Sequence, residues 1–190
     1  ARDVAKKERN APLSQAIKII MNSFYGVLGS NGCRFYDQKL ASSITKRGHQ
    51  IMRLTKEWIE AEGHQVIYGD TDSTFVHVNV TEGECVNNIG RSLASFINQK
   101  WKAHLQAQYS IESKLEIEFE THFLKFLMPT IRGKEQGSKK RYAGVVKDGD
   151  TEKLVFKGME NVRTDWTELA KIFQSTLYKM VFNNEETTDY

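Results

Sequence analysis

The sequence has little of what characterises disulfide-rich, zinc-binding or membrane-spanning proteins. Cys33 and Cys85 are its two cysteines, and neither a CxxC spacing nor a close pair of histidines is present. A disulfide framework and a zinc site are therefore not indicated. No run approaches the roughly 18 to 20 consecutive apolar residues of a membrane span, and the first residues do not form a signal sequence. We expect a soluble protein of the reducing cytoplasm with no membrane partner.

Proline and glycine are also scarce, at two and 13 of 190 residues. Hydrophobic residues make up 39% and charged residues 27%, as in ordinary globular domains, so disorder is excluded as the main state. The absence of any internal repeat excludes a solenoid. At about 100–200 residues per domain, the length predicts one domain or one domain with part of a neighbour. Because the sequence begins with Ala1 rather than Met, we expect a piece of a longer chain.

Positive charge is concentrated in two regions, although the net charge is only +3. Residues 1–18 hold five Lys or Arg against two acids, and residues 131–163 hold nine against five. By contrast, residues 110–120 carry four glutamates and one lysine. Two basic regions favour a polyanion as partner, although each run taken alone also fits a solvated surface.

Apolar residues that recur at helical spacing predict four long helices. The first predicted helix lies at about 12–28, and the second runs through Ile44 to Ile59 and ends at Gly63. The third lies at 86–105, after a capping box formed by Thr81 and Glu84, and the fourth lies at 167–182.

Several β-rich runs predict strands joined by tight turns. Residues 65–68 and 73–78 flank a Gly-Asp-Thr-Asp turn and form a predicted hairpin. From Ile111 onward the apolar residues alternate with glutamates, which predicts a strand with one acidic face. Further strands are expected at 122–127, 141–146 and 153–157. This order predicts an α+β fold, in which two helices cover one face of an antiparallel sheet.

The turn of the first hairpin holds two carboxylates, those of Asp70 and Asp72. Asp is common in turns because it bonds to its own backbone, so a lone DxD is weak evidence of a site. Adjacent like charges are nevertheless tolerated best around a cation, and carboxylate oxygens suit Mg²⁺. Two such ions about 4 Å apart would hold the attacking and leaving oxygens of a phosphoryl transfer.

The first predicted helix has an unusual polar face that ends near Gly26 and consists of Gln15, Lys18, Asn22 and Tyr25. Any amphipathic helix needs a polar face. This one combines a cation, an amide and an aromatic hydroxyl, which suits the phosphates, sugar and base of a nucleoside triphosphate.

A basic run, Lys139-Lys140-Arg141, enters the strand at Tyr142. Such runs at loop edges are usually solvated. In a nucleic-acid-binding protein they contact phosphates, and these contacts position a duplex without reading its bases.

Four motifs in a fixed order resemble those of the family B DNA polymerases. Residues 18–26 fit K-x-x-x-N-S-x-Y-G, residues 68–73 read YGDTDS, residues 139–142 read KKRY, and residues 157–163 fit KGxExVR. The intervening segments are most similar to bacterial members of the family.

The resemblance implies that residues 1–30 are the C-terminal part of the fingers, 31–165 the palm with its antiparallel sheet backed by helices, and 166–190 the start of a helical thumb. It implies an enzyme of DNA replication or repair, a DNA-directed DNA polymerase that adds deoxynucleotides to a primer 3′ end. Two Mg²⁺ ions would assist, one activating the 3′ hydroxyl and one stabilising pyrophosphate.

The resemblance also assigns roles to residues. Asp72 is expected to be the main ligand of both ions, and Asp70 a neighbouring carboxylate. Lys18, Asn22 and Tyr25 are expected to contact the incoming deoxynucleoside triphosphate. The expected contacts to primer–template DNA are Lys139, Lys140, Arg141, Tyr142 and Arg163.

A further implied partner is the remainder of the polymerase chain, with its motif A strand, its exonuclease domain and its thumb. A sliding clamp is another candidate partner, at a nucleoid-associated location in the cytoplasm. Motif A, an aspartate in a DxxSLYPS-like strand, has no counterpart in these 190 residues. We therefore expect the isolated chain to be inactive.

Two other functions compete with this interpretation. A DxD glycosyltransferase would place a parallel, nucleotide-binding sheet before the DxD. A module that binds RNA or single strands would line an exposed sheet face with aromatic residues, for which Phe119 and Phe123 are candidates.

Overall fold

A computed structural model describes residues 1–70, 72–80, 85–130, 138 and 140–187. The predicted capping box of Thr81 and Glu84 and the predicted DNA contact Lys139 lie outside this part of the chain. The chain divides into two compact units, Ala1–Glu57 and Trp58–Tyr190. None of the helices in the described ranges is long and apolar enough to cross a membrane.

The first unit is helical, with α1 at Arg2–Lys7, α2 at Ala11–Leu28 and most of α3, which spans Gln38–Ala61. Asn10 caps α2, because its side-chain oxygen accepts a hydrogen bond from the amide of Leu13 at 3.1 Å. A proline in the first turn, Pro12, favours the same start. The helix predicted at 12–28 is thereby confirmed.

The second helix predicted, which ends at Gly63, is also confirmed. The chain leaves α3 through Gly63, whose φ of +85° favours glycine. Helix α4 follows at Val86–Tyr109 and buries Ile97 and Trp101. The ring of Trp101 lies 4.8 Å from that of Trp58, which packs the end of α3 against α4.

The described residues of the second unit include five strands, which pair antiparallel in two sheets. Strands β1 (Gln65–Asp70) and β2 (Ser73–His77) form the predicted first hairpin, and β3 (Phe123–Leu127), β4 (Tyr142–Asp148) and β5 (Thr151–Lys157) pair in chain order. The α+β class with antiparallel strands and flanking helices is confirmed, with the strands divided between two sheets. Aromatic packing joins the sheets, since the ring of Phe75 lies 5.2 Å from that of Phe126 and 5.1 Å from that of Tyr142.

The last helix, α5 at Glu168–Phe182, packs against the three-stranded sheet. Thr167 caps it through a hydrogen bond from the amide of Ala170, as expected from a helix predicted to begin at this residue. The buried core of this contact comprises Ala143, Val145 and Phe182. Lys125 secures the end of the helix, since its ammonium donates to the carbonyl of Phe182 at 2.6 Å.

The strand predicted from Ile111 to Glu120 is wrong. Residues 111–122 form no strand, and Ile117 and Phe119 contact α4 instead. The side-chain amide of Asn98 donates to the carbonyl of Ile117 and accepts from its amide, both at 2.8 Å. One helical side chain thus supplies the two backbone hydrogen bonds that a neighbouring strand would provide.

Candidate functional site

The two aspartates of the DxD motif lie at the turn of the hairpin formed by β1 and β2, which we call the carboxylate hairpin (65–77). Asp70 pairs with Ser73 across the ladder, so the antiparallel pairing extends to the end of the hairpin, next to Asp72. The amide of Asp72 and the hydroxyl of Ser73 both donate to the carbonyl of Asp70. These bonds order the backbone beneath an exposed Asp72 and a half-buried Asp70.

Lys140 brings the basic run to the carboxylate hairpin. Its ammonium nitrogen lies 3.5 Å from Oδ1 of Asp70, and its backbone amide donates to the hydroxyl of Tyr68 at 2.8 Å. Two motifs that are 72 positions apart, from Tyr68 to Lys140, therefore form one site. The side chain of Lys140 is 69% exposed, which leaves its cation accessible to an anionic ligand.

The residue after the last strand, Gly158, must be a glycine because of its backbone conformation and its closest neighbour. Its φ of +60° lies in the left-handed region, and a Cβ at this position would overlap the carbonyl oxygen of Lys140. Glycine is the residue that permits this close approach. The motif at 157–163 therefore supports the turn that carries Lys140.

Tyr142 lies in an aromatic cluster with Phe75, Phe123 and Phe126. Burial is the largest cause of a raised pKa for its phenol, and the negative charge of Glu120 raises this pKa further. Smaller contributions come from Tyr68 and Asp70. The phenol of Tyr142 therefore stays neutral to a higher pH than that of an exposed tyrosine.

Replacing Glu120 with Gln should lower the pKa of Tyr142, which burial will still keep above its usual value. A pKa raised by folding contributes stability that is complete below the unfolded-state pKa and is lost as the pH rises through the folded-state pKa. The variant should therefore lose less stability at alkaline pH. NMR of ring-labelled tyrosine, with Tyr142→Phe for assignment, measures the pKa directly. Glu118→Gln is the matched control, and an equal effect of both variants would contradict this electrostatic account.

The predicted nucleotide-binding residues lie on α2, in the first unit. Lys18 and Asn22 are exposed, and the hydroxyl of Tyr25 lies 2.9 Å from that of Thr45 on α3. Since the Thr45 hydroxyl donates to the carbonyl of Ala41, the Tyr25 hydroxyl is the donor of this pair. A Cβ at Gly26 would meet no atom within 4 Å, so the backbone beyond Tyr25 is open to a ligand.

The remaining predicted DNA contacts are held by acidic neighbours. Arg163 forms two hydrogen bonds to Asp165, at 2.8 and 2.6 Å, and this pairing lowers the pKa of the Asp165 carboxyl. Arg141 is ion-paired to Glu160. Both guanidinium groups are therefore oriented by carboxylates.

The donor set of the carboxylate hairpin fits a hard divalent cation. Asp70 and Asp72 provide the carboxylate oxygens that Mg²⁺ prefers, and Mg²⁺ is commonly held by one or two protein carboxylates together with water and substrate phosphates. The described residues contain no cluster of three or more potential metal ligands. The hairpin thus supplies oxygen donors of the right kind and in a number that such a partly hydrated ion accepts.

The structure disagrees with both alternative functions. All pairings among the described strands are antiparallel, whereas a DxD glycosyltransferase was expected to have a parallel sheet. Phe119 packs on Gly90 of α4, and Phe123 covers Gly144 in the sheet. These two rings are half-buried packing residues, so they do not form the exposed aromatic face of a single-strand-binding module.

Sequence reasoning missed four residues that contact or support this site: Tyr68, Glu120, Glu160 and Gln174. Two of them stand inside recognised motifs, so their positions were available as a signal. No sequence signal indicated the role of Gln174, because nothing in the pattern of α5 distinguishes this residue.

Comparison with known proteins agrees with the motifs. Residues 3–190 match the sequence profile of DNA polymerase family B. The chain is 59% identical over its whole length to DNA polymerase II of Escherichia coli (strain K12), of which it covers 24%. It is 33% identical over 162 residues, 83% of the chain and 10% of that protein, to the DNA polymerase alpha catalytic subunit of Mus musculus. Identity to DNA polymerase 1 of Pyrococcus abyssi (strain GE5 / Orsay) is 28% over 184 residues, 97% of the chain and 21% of that protein.

The chain spans about a quarter or less of the length of these relatives. The profile match nevertheless extends over nearly all of the chain, including all four motifs. The family membership predicted from these motifs is confirmed: the chain belongs to the family B DNA polymerases.

Proposed function

We propose that this chain is the palm-centred part of a DNA-directed DNA polymerase, in which it joins a deoxynucleotide to a primer 3′ end. The observation that carries the proposal is the meeting of Lys140 with Asp70 at the carboxylate hairpin. The ammonium of Lys140, which can bind a backbone phosphate, thereby lies next to a carboxylate that suits a divalent ion. Identity of 59% to DNA polymerase II of Escherichia coli supports the same conclusion.

Asp70 and Asp72 would hold the divalent ions, with the exposed Asp72 as the main ligand. Bound Mg²⁺ supplies Lewis-acid stabilisation of the charge that develops on the attacking and leaving oxygens. The chain's own part is geometric, since the hydrogen bonds of the turn order both aspartates before a substrate arrives. Tyr142, kept neutral by its raised pKa, adds no further negative charge to the site.

The duplex and the nucleotide would bind through different surfaces. Lys139, Lys140, Arg141, Tyr142 and Arg163 are the proposed contacts to primer–template DNA. Lys18 would bind the triphosphate, while Asn22 and Tyr25 would contact the sugar and base. We further propose fingers at 1–30, palm at 31–165 and the start of the thumb at 166–190.

The rest of the polymerase polypeptide would complete the site. A motif A aspartate would supply the second wall of the metal site, and the 190 residues alone would not extend a primer. The same proposal includes a role in replication or repair, a nucleoid location in the cytoplasm and an interaction with a sliding clamp.

The proposal is tested by the salt dependence of duplex binding. In the full polymerase polypeptide, filter binding should favour a primer–template duplex over a single strand. Lys140→Ala should weaken duplex binding on every sequence and reduce the slope of log affinity against log salt by about one unit for each phosphate that is no longer neutralised. Lys153→Ala, in the same basic region, is the control. An unchanged slope for Lys140→Ala would show that this lysine is an ordinary solvated residue that does not contact the DNA.

Lys18→Ala should mainly impair nucleotide use. A charge-assisted contact to the triphosphate is worth roughly 1.5 to 3 kcal/mol, so kcat/KM for nucleotide incorporation should fall by about one to two decades. Steady-state single-nucleotide incorporation measures this change, with the exposed Lys46→Ala on α3 as control. A loss of duplex affinity with unchanged nucleotide dependence would show that Lys18 serves the DNA instead.

A further inference from the structure

Arg141, the residue after Lys140, is held by a carboxylate that is itself held from α5. The Arg141 guanidinium pairs with Oε1 of Glu160, and the amide nitrogen of Gln174 donates to Oε2 of the same carboxylate at 2.9 Å. Each oxygen of Glu160 thus has its own partner. The Glu160 side chain is only 22% exposed, so water competes little for these bonds.

The orientation of Gln174 is determined by its second bond. Its side-chain oxygen accepts from the backbone amide of Asn161 at 2.7 Å, which directs its NH₂ group to Glu160. The carboxylate of Glu160 is therefore fixed in rotation, with one oxygen towards α5 and the other towards Arg141. Arg–carboxylate pairing depends on such planar orientation.

Lys140 needs this support because its own backbone is strained. Its φ of +62° is unfavourable for a residue with a Cβ. Contacts on both sides of the turn maintain it: the carbonyl of Lys140 rests on Gly158, and Arg141 is tied to Glu160. The same turn places the Lys140 amide on Tyr68 and its ammonium near Asp70.

We propose that Gln174 is a positioning residue for the contact between Lys140 and the primer–template duplex, and that it acts through Glu160 and Arg141. The inference rests on the proposed function, because it concerns the same phosphate-binding lysine. It assigns to α5 an influence on the carboxylate hairpin, carried by Gln174, Glu160 and Arg141. A change in the position of this helix would be transmitted to Lys140 by side-chain hydrogen bonds.

The test is a double-mutant cycle in the full polymerase polypeptide. Gln174→Met keeps the length of the side chain and removes both hydrogen bonds. It should raise the duplex Kd about threefold to tenfold and leave the KM for nucleotide unchanged. In the Lys140→Ala background the same substitution should cause no further weakening, because the lysine that it positions is gone. Gln174→Glu, which sets a second carboxylate against Glu160, should weaken duplex binding at least as much.

Leu154→Ala is the matched control, since Leu154 packs against the core cluster of Ala143, Val145 and Phe182. It should lower the melting temperature and leave the duplex Kd unchanged. Additive effects in the cycle, no effect of Gln174→Met and Gln174→Glu, or an equal effect of Leu154→Ala would each overturn the positioning role. If Lys140→Ala itself leaves duplex binding unchanged, the proposed duplex contact fails, a result distinct from failure of Gln174 alone.

Discussion

Asp72→Ala is expected to abolish primer extension in the full polymerase polypeptide and to leave duplex binding largely intact. Asp72 is exposed at the turn, where its carboxylate is available to a divalent ion. Metal ligation in the transition state is worth several kcal/mol, so the single-turnover rate should fall by at least about a thousandfold. Rapid-quench extension measures the rate, and filter binding measures the duplex affinity.

The control for this substitution is Asp150→Ala, which removes an exposed carboxylate from the turn between β4 and β5. It should leave extension unchanged. Retention of more than about a tenth of the wild-type rate by Asp72→Ala would rule out Asp72 as the main ligand, because loss of that ligand predicts a far larger defect.

Phe75→Ala should produce the largest loss of stability among substitutions near the site. Its ring contacts Tyr68 within the hairpin and Phe123, Phe126 and Tyr142 of the second sheet. Removing a packed phenylalanine costs roughly 3–5 kcal/mol, and the partial exposure of Phe75 places the expected loss at about 3 kcal/mol.

Denaturant unfolding of the 190-residue chain measures this loss of stability. Phe35→Ala is the matched control, because Phe35 is 70% exposed and its truncation removes little packing. Equal losses for Phe75→Ala and Phe35→Ala would contradict the view that the aromatic cluster joins the two sheets.

Local signals account for the parts of the fold that the sequence predicts well. Helix α2 is marked by an apolar stripe and by Pro12 in its first turn. The turn between β4 and β5 is marked by Gly149, which adopts a φ of +62°. In each case the residues that determine the structure lie within the element or next to it, so a pattern of a few residues suffices.

The strand predicted from Ile111 failed because alternation shows which residues share a face and does not show what the backbone pairs with. Here the partner of Ile117 is Asn98, a helical side chain 19 positions away. The division of the strands between two sheets has a similar origin, since the pattern within a strand does not show which other strands share its sheet.

The candidate site shows the same contrast. Asp70 and Asp72 are recognisable from a short motif, and so is the basic run at Lys140. The contact between Lys140 and Tyr68 spans 72 positions and is created by folding. Gln174 lies outside every motif, and an amide on an amphipathic helix is ordinary until its hydrogen-bond partners are known.

The most direct test of the central claim, that Asp72 binds a catalytic metal ion, is the metal preference of an Asp72→Cys variant. Mg²⁺ prefers oxygen ligands, whereas a thiolate accepts softer ions such as Cd²⁺. Primer extension by the full polymerase polypeptide should be lost in Mg²⁺ and partly restored when Cd²⁺ is added, while Asp72→Ala gains nothing. A metal preference of Asp72→Cys identical to that of Asp72→Ala would contradict direct ligation by this residue.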